Sequence, residues 1–181
     1  MMIFEEKTMK SDKIYEGKLL NLRVDTVEIP DKKYSKREIV EHPGGVAVIP
    51  VASDNSIILV KQYRKAIERF LMEIPAGKLE LNEEPRETAI RELKEETGYE
   101  AKKIEYLLEF YTSPGFSNEK IYLFLATDLI EGEATPDSGE FIEMEKYNID
   151  DLIKMVERGE IIDSKTIIGI NLAKKYIDKK Q

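Results

Sequence analysis

The sequence predicts an α/β fold: a sandwich with helices on both faces of a largely mixed sheet, and a small β unit at the amino end. Three observations predict it. Alternating segments near the start, LRVDTVEI and KREIV, read as half-buried strands. Continuous apolar runs follow, VAVIPVA and SIILVKQY, of the kind expected for strands covered on both faces. Helical stretches then interrupt and close the strand series, one opening at Pro85 and stopping at Gly98, two more at the carboxyl end.

Each element has a local reason. Residues 13–28 alternate well enough for strands, and Pro30-Asp31 with the lysines after it marks a turn. KREIV ends at His42-Pro43-Gly44-Gly45, punctuation that divides an N-terminal β subdomain (1–42) from a main domain (43–181). Ser53-Asp54-Asn55 separates the two apolar runs, which read as a buried hairpin. FLMEIPAG is a short strand ending at Pro75-Ala76-Gly77. In LNEEPRETAIRELKEETG, Pro85 suits a first helical turn, acids crowd the end where the dipole favours them, and Gly98 stops the helix. IEYLLEFYTS and KIYLFLATDL are strands around the turn Ser113–Asn118, and NIDDLIKMVERGEI and SKTIIGINLAKKYIDKK carry the apolar stripes of closing helices.

With 181 residues and 41% hydrophobic composition the chain can bury a core. Its 28 basic and 36 acidic residues give a net charge of −8. That balance weighs against nucleic acid or an anionic membrane surface as partner, because both reward a basic face. Cysteine is absent, which excludes disulfides, thiolate metal sites and a cysteine nucleophile. His42 is the single histidine, so a His-based triad or multi-His metal site lacks members. No run approaches the roughly 18 apolar residues of a membrane span. The amino terminus shows no apolar secretory core either, so the expected location is cytoplasmic.

The acids of one helix call for the closest reading. Glu92, Glu95 and Glu96 fall with Thr88 within one arc of roughly 100°, beside the apolar stripe of Ala89, Ile90 and Leu93. Carboxylates so arranged repel unless a cation neutralises them, and oxygen ligands on a rigid helix suit Mg²⁺ or Mn²⁺. Taken alone, the helix reads more readily as a solvated face balanced by Lys94 and Arg91, because glutamate-rich surface helices are common. Gly77 adds context: at a strand end it lets backbone approach a ligand and offer a carbonyl to a metal. Glu83, about two turns before Arg91, can brace that guanidinium.

Gly77, Glu83, Arg91, Glu92, Leu93, Glu95, Glu96, Gly98 and Tyr99 together resemble the Nudix box, with Tyr99 standing where an aliphatic residue is more usual. The resemblance implies a Nudix-type α/β/α sandwich and hydrolysis of a nucleoside diphosphate linked to another moiety, with divalent cations. By it, Glu92 and Glu96 are the principal metal carboxylates, Glu95 assists, the Ala76 carbonyl completes the shell, and Gly77, Glu83 and Arg91 are structural. The physics agrees, since a pyrophosphate repels a nucleophile and metal ions offset that repulsion while lowering the pKa of water.

Gln62-Tyr63-Arg64, FLMEIPAGKLE, REIVEHPGG and the turn Ser113-Pro114-Gly115-Phe116-Ser117-Asn118 resemble the ADP-ribose pyrophosphatase group of that family. The implied substrate residues are Arg37, Arg64, Pro114 and Phe116; arginine suits the task because its planar fork grips phosphate oxygens or stacks on adenine. The implied catalytic base is Glu140, in the acidic stretch Asp137–Met144, with Glu143 as the alternative and Glu95 as a further catalytic carboxylate. His42, beside Pro43 and two glycines, reads as a turn cap. The group also implies a homodimer that exchanges its N-terminal β unit, in which Arg37 could serve the partner's site.

The expected activity is Mg²⁺-dependent hydrolysis of ADP-ribose to AMP and ribose 5-phosphate, with Mn²⁺ as a substitute. Other nucleoside diphosphate sugars or dinucleotides, and a non-catalytic ADP-ribose sensor, are the alternatives. Residues 73–96 hold eight acids and four bases, a local excess of four that is half of the chain's −8. Such acidity marks a place for cations, through which a small phosphate ester can bind.

Overall fold

The computed structural model describes residues 4–135 and 141–180. In chain order the elements are strands β1 (Lys7–Glu16), β2 (Asn21–Ile29), β3 (Lys33–Glu41), β4 (Gly45–Pro50), β5 (Ser56–Arg64), β6 (Arg69–Glu73) and β7 (Ala76–Lys78). Helix α1 (Pro85–Thr97) follows, then β8 (Glu100–Tyr111), β9 (Lys120–Ile130), β10 (Ile142–Asn148), α2 (Ile149–Glu157) and α3 (Ser164–Asp178). Contacts gather them into two units: the chain up to Gly44 with Tyr111–Lys120, and Gly45–Phe110 with the chain from Ile121 onward.

In the first unit β1, β2 and β3 form an antiparallel meander, in which Asp25 of β2 lies opposite Ser11 and Arg37. A single turn, Pro30–Lys32, joins β2 to β3, and Asp31 takes the left-handed φ of 65° that aspartate tolerates better than most residues. β1 begins at Lys7, ahead of the alternation that starts at residue 13. It is exposed along nearly its whole length, so nothing but its backbone ladder to β2 marks it as a strand. The Ser113–Asn118 turn belongs to this unit: Val40 N–H donates to the Phe116 carbonyl at 2.7 Å, and Asn118 N–H to the Val40 carbonyl at 3.2 Å.

The second unit contains two sheets, ordered β7-β4-β9-β8 and β10-β5-β6. β4 runs parallel to β9 and antiparallel to β7, so the first sheet is mixed. The apolar runs of β4 and β5 do not form the expected hairpin. Apart from one bridge between Val51 and Ile57, the chain leaves the Ser53–Asn55 turn into the other sheet. FLMEIPAG likewise divides. β6 ends at Glu73, Ile74-Pro75 crosses between sheets, and β7 starts at Ala76. Proline has no N–H for a ladder, while its carbonyl accepts from Val48 N–H at 2.8 Å.

Both faces of β4 are covered. Val46 and Val48 pack with Ile58, Phe124 and with Ala89 and Leu93 of α1; Ala47 and Ile49 pack with Leu152 of α2 and with Ile170 and Ala173 of α3. Burial on two sides is why β4 reads as a continuous apolar run. α3 lies close to this layer at Gly169, where a Cβ would stand 3.0 Å from Ile74 and 3.2 Å from Ile49. The helix ends follow their chemistry: α1 starts at Pro85 and stops at Gly98, Asn148 caps α2 and Asp163 caps α3. Among the described residues no helix is long and apolar enough to cross a membrane.

Candidate active site

The site is built where α1 meets β7. Glu96 is 5% exposed, and its Oε2 accepts the Ala76 N–H at 3.0 Å. Glu92 lies against Gly77, where a Cβ would stand 1.9 Å from the Glu92 carboxyl carbon. Glycine here makes room for a side chain and is not called for by its own backbone angles: a Cβ would have to displace the Glu92 carboxylate. Arg91 organises the remainder. Its Nε and Nη2 each donate to Glu83 at 3.1 Å, and Nη1 donates to Glu92 at 2.8 Å and to Glu95 at 2.9 Å. The bond to Glu83 leads in raising the Arg91 pKa still further, with Glu92 and Glu95 adding to it against the opposing effect of burial. The same bond holds the Glu83 carboxyl below its usual range.

The far end of the helix is tied as well. Gly98 takes a φ of 74°, and a Cβ there would strike the backbone of Gly132 and Ala134 at 2.7 Å. Thr135 N–H donates to the Glu95 carbonyl at 3.0 Å. The segment after β9 is thus fixed to the same turn of α1 that carries the carboxylates. Glu140 lies outside the described residues. Glu143 sits on β10 opposite Lys61, with its side chain 73% exposed and 3.3 Å from the Lys61 ammonium.

Arg64, at the end of β5, donates side-on to Glu73, with Nε and Nη2 both at 2.7 Å. Glu73 is buried, and it also accepts from Lys165. Burial would push its pKa up, but Arg64 and Lys165 outweigh that and hold it below the ordinary range. Sequence reasoning singled out Arg64 but neither Glu73 nor Lys165, which complete its ion-pair cluster. The available signal was an acid at an otherwise apolar strand end, FLMEIP.

Arg37, Pro114 and Phe116 lie in the first unit. The Arg37 guanidinium is held by Glu6, with Nε at 2.9 Å, while Nη1 donates to Ser35 Oγ at 2.8 Å and to the Lys36 carbonyl at 3.0 Å. Ser113 accepts the N–H groups of Phe116 and Ser117, closing a turn that carries Pro114 and leaves Phe116 57% exposed. Because that turn is bonded to Val40 of β3, it is tied to the strand of Arg37. His42 accepts the Gly44 N–H at Nδ1, 3.1 Å away, and caps a turn.

Among the described residues no three acidic or imidazole side chains converge on one point as a ready metal cage; the Arg91 guanidinium lies between Glu92 and Glu95. The donor set nevertheless fits a hard divalent cation. It is all oxygen, it stands on a rigid helix, and Gly77 leaves room at the Glu92 carboxylate.

The NUDIX domain model matches residues 41–167. The chain belongs to the Nudix family. It is 50% identical over 172 residues to the ADP-ribose pyrophosphatase of Bacillus subtilis (strain 168), covering 94% of this chain and 93% of that protein. It is 48% identical over 170 residues to the methanol dehydrogenase activator of Bacillus methanolicus, covering 93% and 92%. Its fold matches the crystal structure of an ADP compounds hydrolase with a TM-score of 0.87 over 99% of this chain and 98% of that one, at 18% identity.

The Arg91–Glu83 pair has a signed pH dependence. A carboxyl with a depressed folded pKa stabilises fully above its unfolded value of about 4.3, and the contribution is lost as pH falls through the lower folded value. Glu83→Gln is expected to cost about 1 kcal/mol at pH 7 by urea unfolding. The difference from the parent should close as the solution is acidified below about pH 4; a difference independent of pH would refute the assignment.

Proposed function

We propose that this chain is a cytoplasmic, Mg²⁺-dependent hydrolase that cleaves the pyrophosphate of ADP-ribose to AMP and ribose 5-phosphate. The observation that carries the reading is the joining of Glu96 to Ala76 and of Glu92 to Gly77, with Glu95 tied to Glu92 through Arg91, in a chain half identical, over nearly its whole length, to an ADP-ribose pyrophosphatase. The carboxylates of Glu92, Glu95 and Glu96 and the Ala76 carbonyl would hold the cation, for which Mn²⁺ could substitute. When bound, Mg²⁺ neutralises pyrophosphate charge and lowers the pKa of water. Arg91 would then release Glu92 and Glu95 while keeping Glu83.

The other roles fall to side chains. Glu140 accepts the proton of the attacking water; the bond from Thr135, five residues before it in sequence, to the Glu95 carbonyl supports that role. Glu143 is the weaker base, because it is exposed and paired with Lys61. Arg64 and Arg37 grip the substrate, with Pro114 and Phe116 shaping its binding turn. Residues 1–42 act as a β subdomain apart from the hydrolase domain 43–181 and pair two copies as a homodimer. Exposed Met9, Ile14, Tyr15 and Tyr34 on the meander support that pairing. A second reading rests on the Bacillus methanolicus relative, whose name makes it an activator of methanol dehydrogenase.

A panel of ADP-ribose, GDP-mannose and NADH, each with and without Mg²⁺, tests the substrate, and an added arm with methanol dehydrogenase tests the second reading. ADP-ribose should lead and require the cation; a better rate on another member would move the substrate assignment. Glu96→Gln should lower kcat by about 10²-fold or more and weaken Mg²⁺ binding by calorimetry. Full Mg²⁺-dependent turnover in that variant would remove the metal assignment. For Glu140→Gln, a fall in kcat of about 10²- to 10⁴-fold with ADP-ribose affinity retained is expected of a lost base. A rate near the parent's would rule that role out.

A further inference from the structure

Glu73 closes a buried knot of charge. Its carboxylate, 1% exposed, accepts from Arg64 Nε and Nη2 and from Lys165 Nζ, and Lys165 also reaches Asp163, the cap of α3, at 3.0 Å. Two cations thus meet two carboxylates, the condition under which a buried ion is tolerated. Thr166 extends the knot. Its hydroxyl donates to Asp163 at 2.6 Å and accepts the Ile74 N–H at 2.8 Å, one residue beyond Glu73.

The geometry of Arg64 gives the knot a purpose. Glu73 takes both Nε and Nη2, so Nη1 is the donor end left without a partner among the described residues, on a side chain 40% exposed. Glu96 adds to the field that holds Arg64 charged, which puts the arginine within electrostatic reach of the box carboxylates. We propose that Glu73, held in turn by Lys165, is a positioning residue that fixes Arg64 side-on and presents its Nη1 edge to the pyrophosphate of the substrate. An unbraced arginine must give up several rotatable bonds when it binds an anion; one already clamped has lost that freedom on folding. Glu73 also precedes Ile74-Pro75-Ala76-Gly77 directly, so one carboxylate sets the arginine and the box loop in a common frame.

The inference rests on Arg64 as a substrate arginine, and the experiment separates the two. Steady-state kinetics on ADP-ribose are measured for Arg64→Ala, Glu73→Gln and the double variant, with thermal melts alongside. Positioning predicts that Glu73→Gln raises KM about three- to tenfold with kcat little changed, and adds nothing to the KM of Arg64→Ala. Independent, additive effects, or a loss confined to kcat and melting temperature, would overturn the role of Glu73. An unchanged KM in Arg64→Ala would overturn the substrate role of Arg64 and the inference with it. Glu73→Asp keeps the charge that folding needs but withdraws the carboxylate by one methylene. In that variant a raised KM supports the proposal and an unchanged KM refutes it, even if Glu73→Gln does not fold.

Discussion

Three glutamates on one side of a helix are a problem before they are a site. Unit charges about 4 Å apart interact by about 4 kcal/mol at the effective dielectric of a protein surface, and Glu92, Glu95 and Glu96 share a short stretch of α1 with Glu83 braced against it. Arg91 resolves the conflict from inside the motif. One guanidinium satisfies Glu83 with two donors and Glu92 and Glu95 with a third. The helix therefore folds as a charged object with its own counter-ion. This separates the site from metal centres whose ligands cannot assemble without the ion.

The loop that completes the site is held just as firmly. Between β6 and β7 the chain changes sheet, and the backbone N–H on either side of Pro75 meets a side chain from a helix: Ile74 gives its N–H to Thr166 of α3, and Ala76 gives its N–H to Glu96 of α1. The helices on the two faces of the sandwich thus hold a crossing only two residues long, Ile74-Pro75. Just beyond it, Gly77 of β7 leaves the Glu92 carboxyl the space a Cβ would fill.

The legible parts of this molecule are those with a local cause. The ends of α1 follow from Pro85 and Gly98, the double burial of β4 follows from its unbroken apolar run, and the box carboxylates follow from spacing on a helix. What escaped depends on partners distant in sequence. β1 carries no burial pattern because neither face is covered. Two apolar runs around a short turn look like a hairpin whether they pair with each other or part into facing sheets, and β4 and β5 part. Arg64 could be picked out by its neighbours in sequence, whereas Lys165, which completes its bracing, comes from α3, 101 positions later. Arg37 was legible as an arginine on a strand, but its engagement with Glu6 across the meander was not.

The backbone contact between Gly98 and Gly132 has an architectural consequence. The chain leaves the end of α1 at one glycine and returns to the same spot at the other, having travelled through β8, the Ser113–Asn118 turn and β9. The excursion is a closed loop pinned at its neck without a covalent link. For such a loop, doubling the flexible length costs only about 0.6 kcal/mol in closure entropy. Length added at its outer turn therefore costs little so long as the bonds to Val40 are kept, while the neck holds the end of the carboxylate helix. The pinch at the two glycines thus sets the end of the carboxylate helix apart from the excursion that lies between them in sequence.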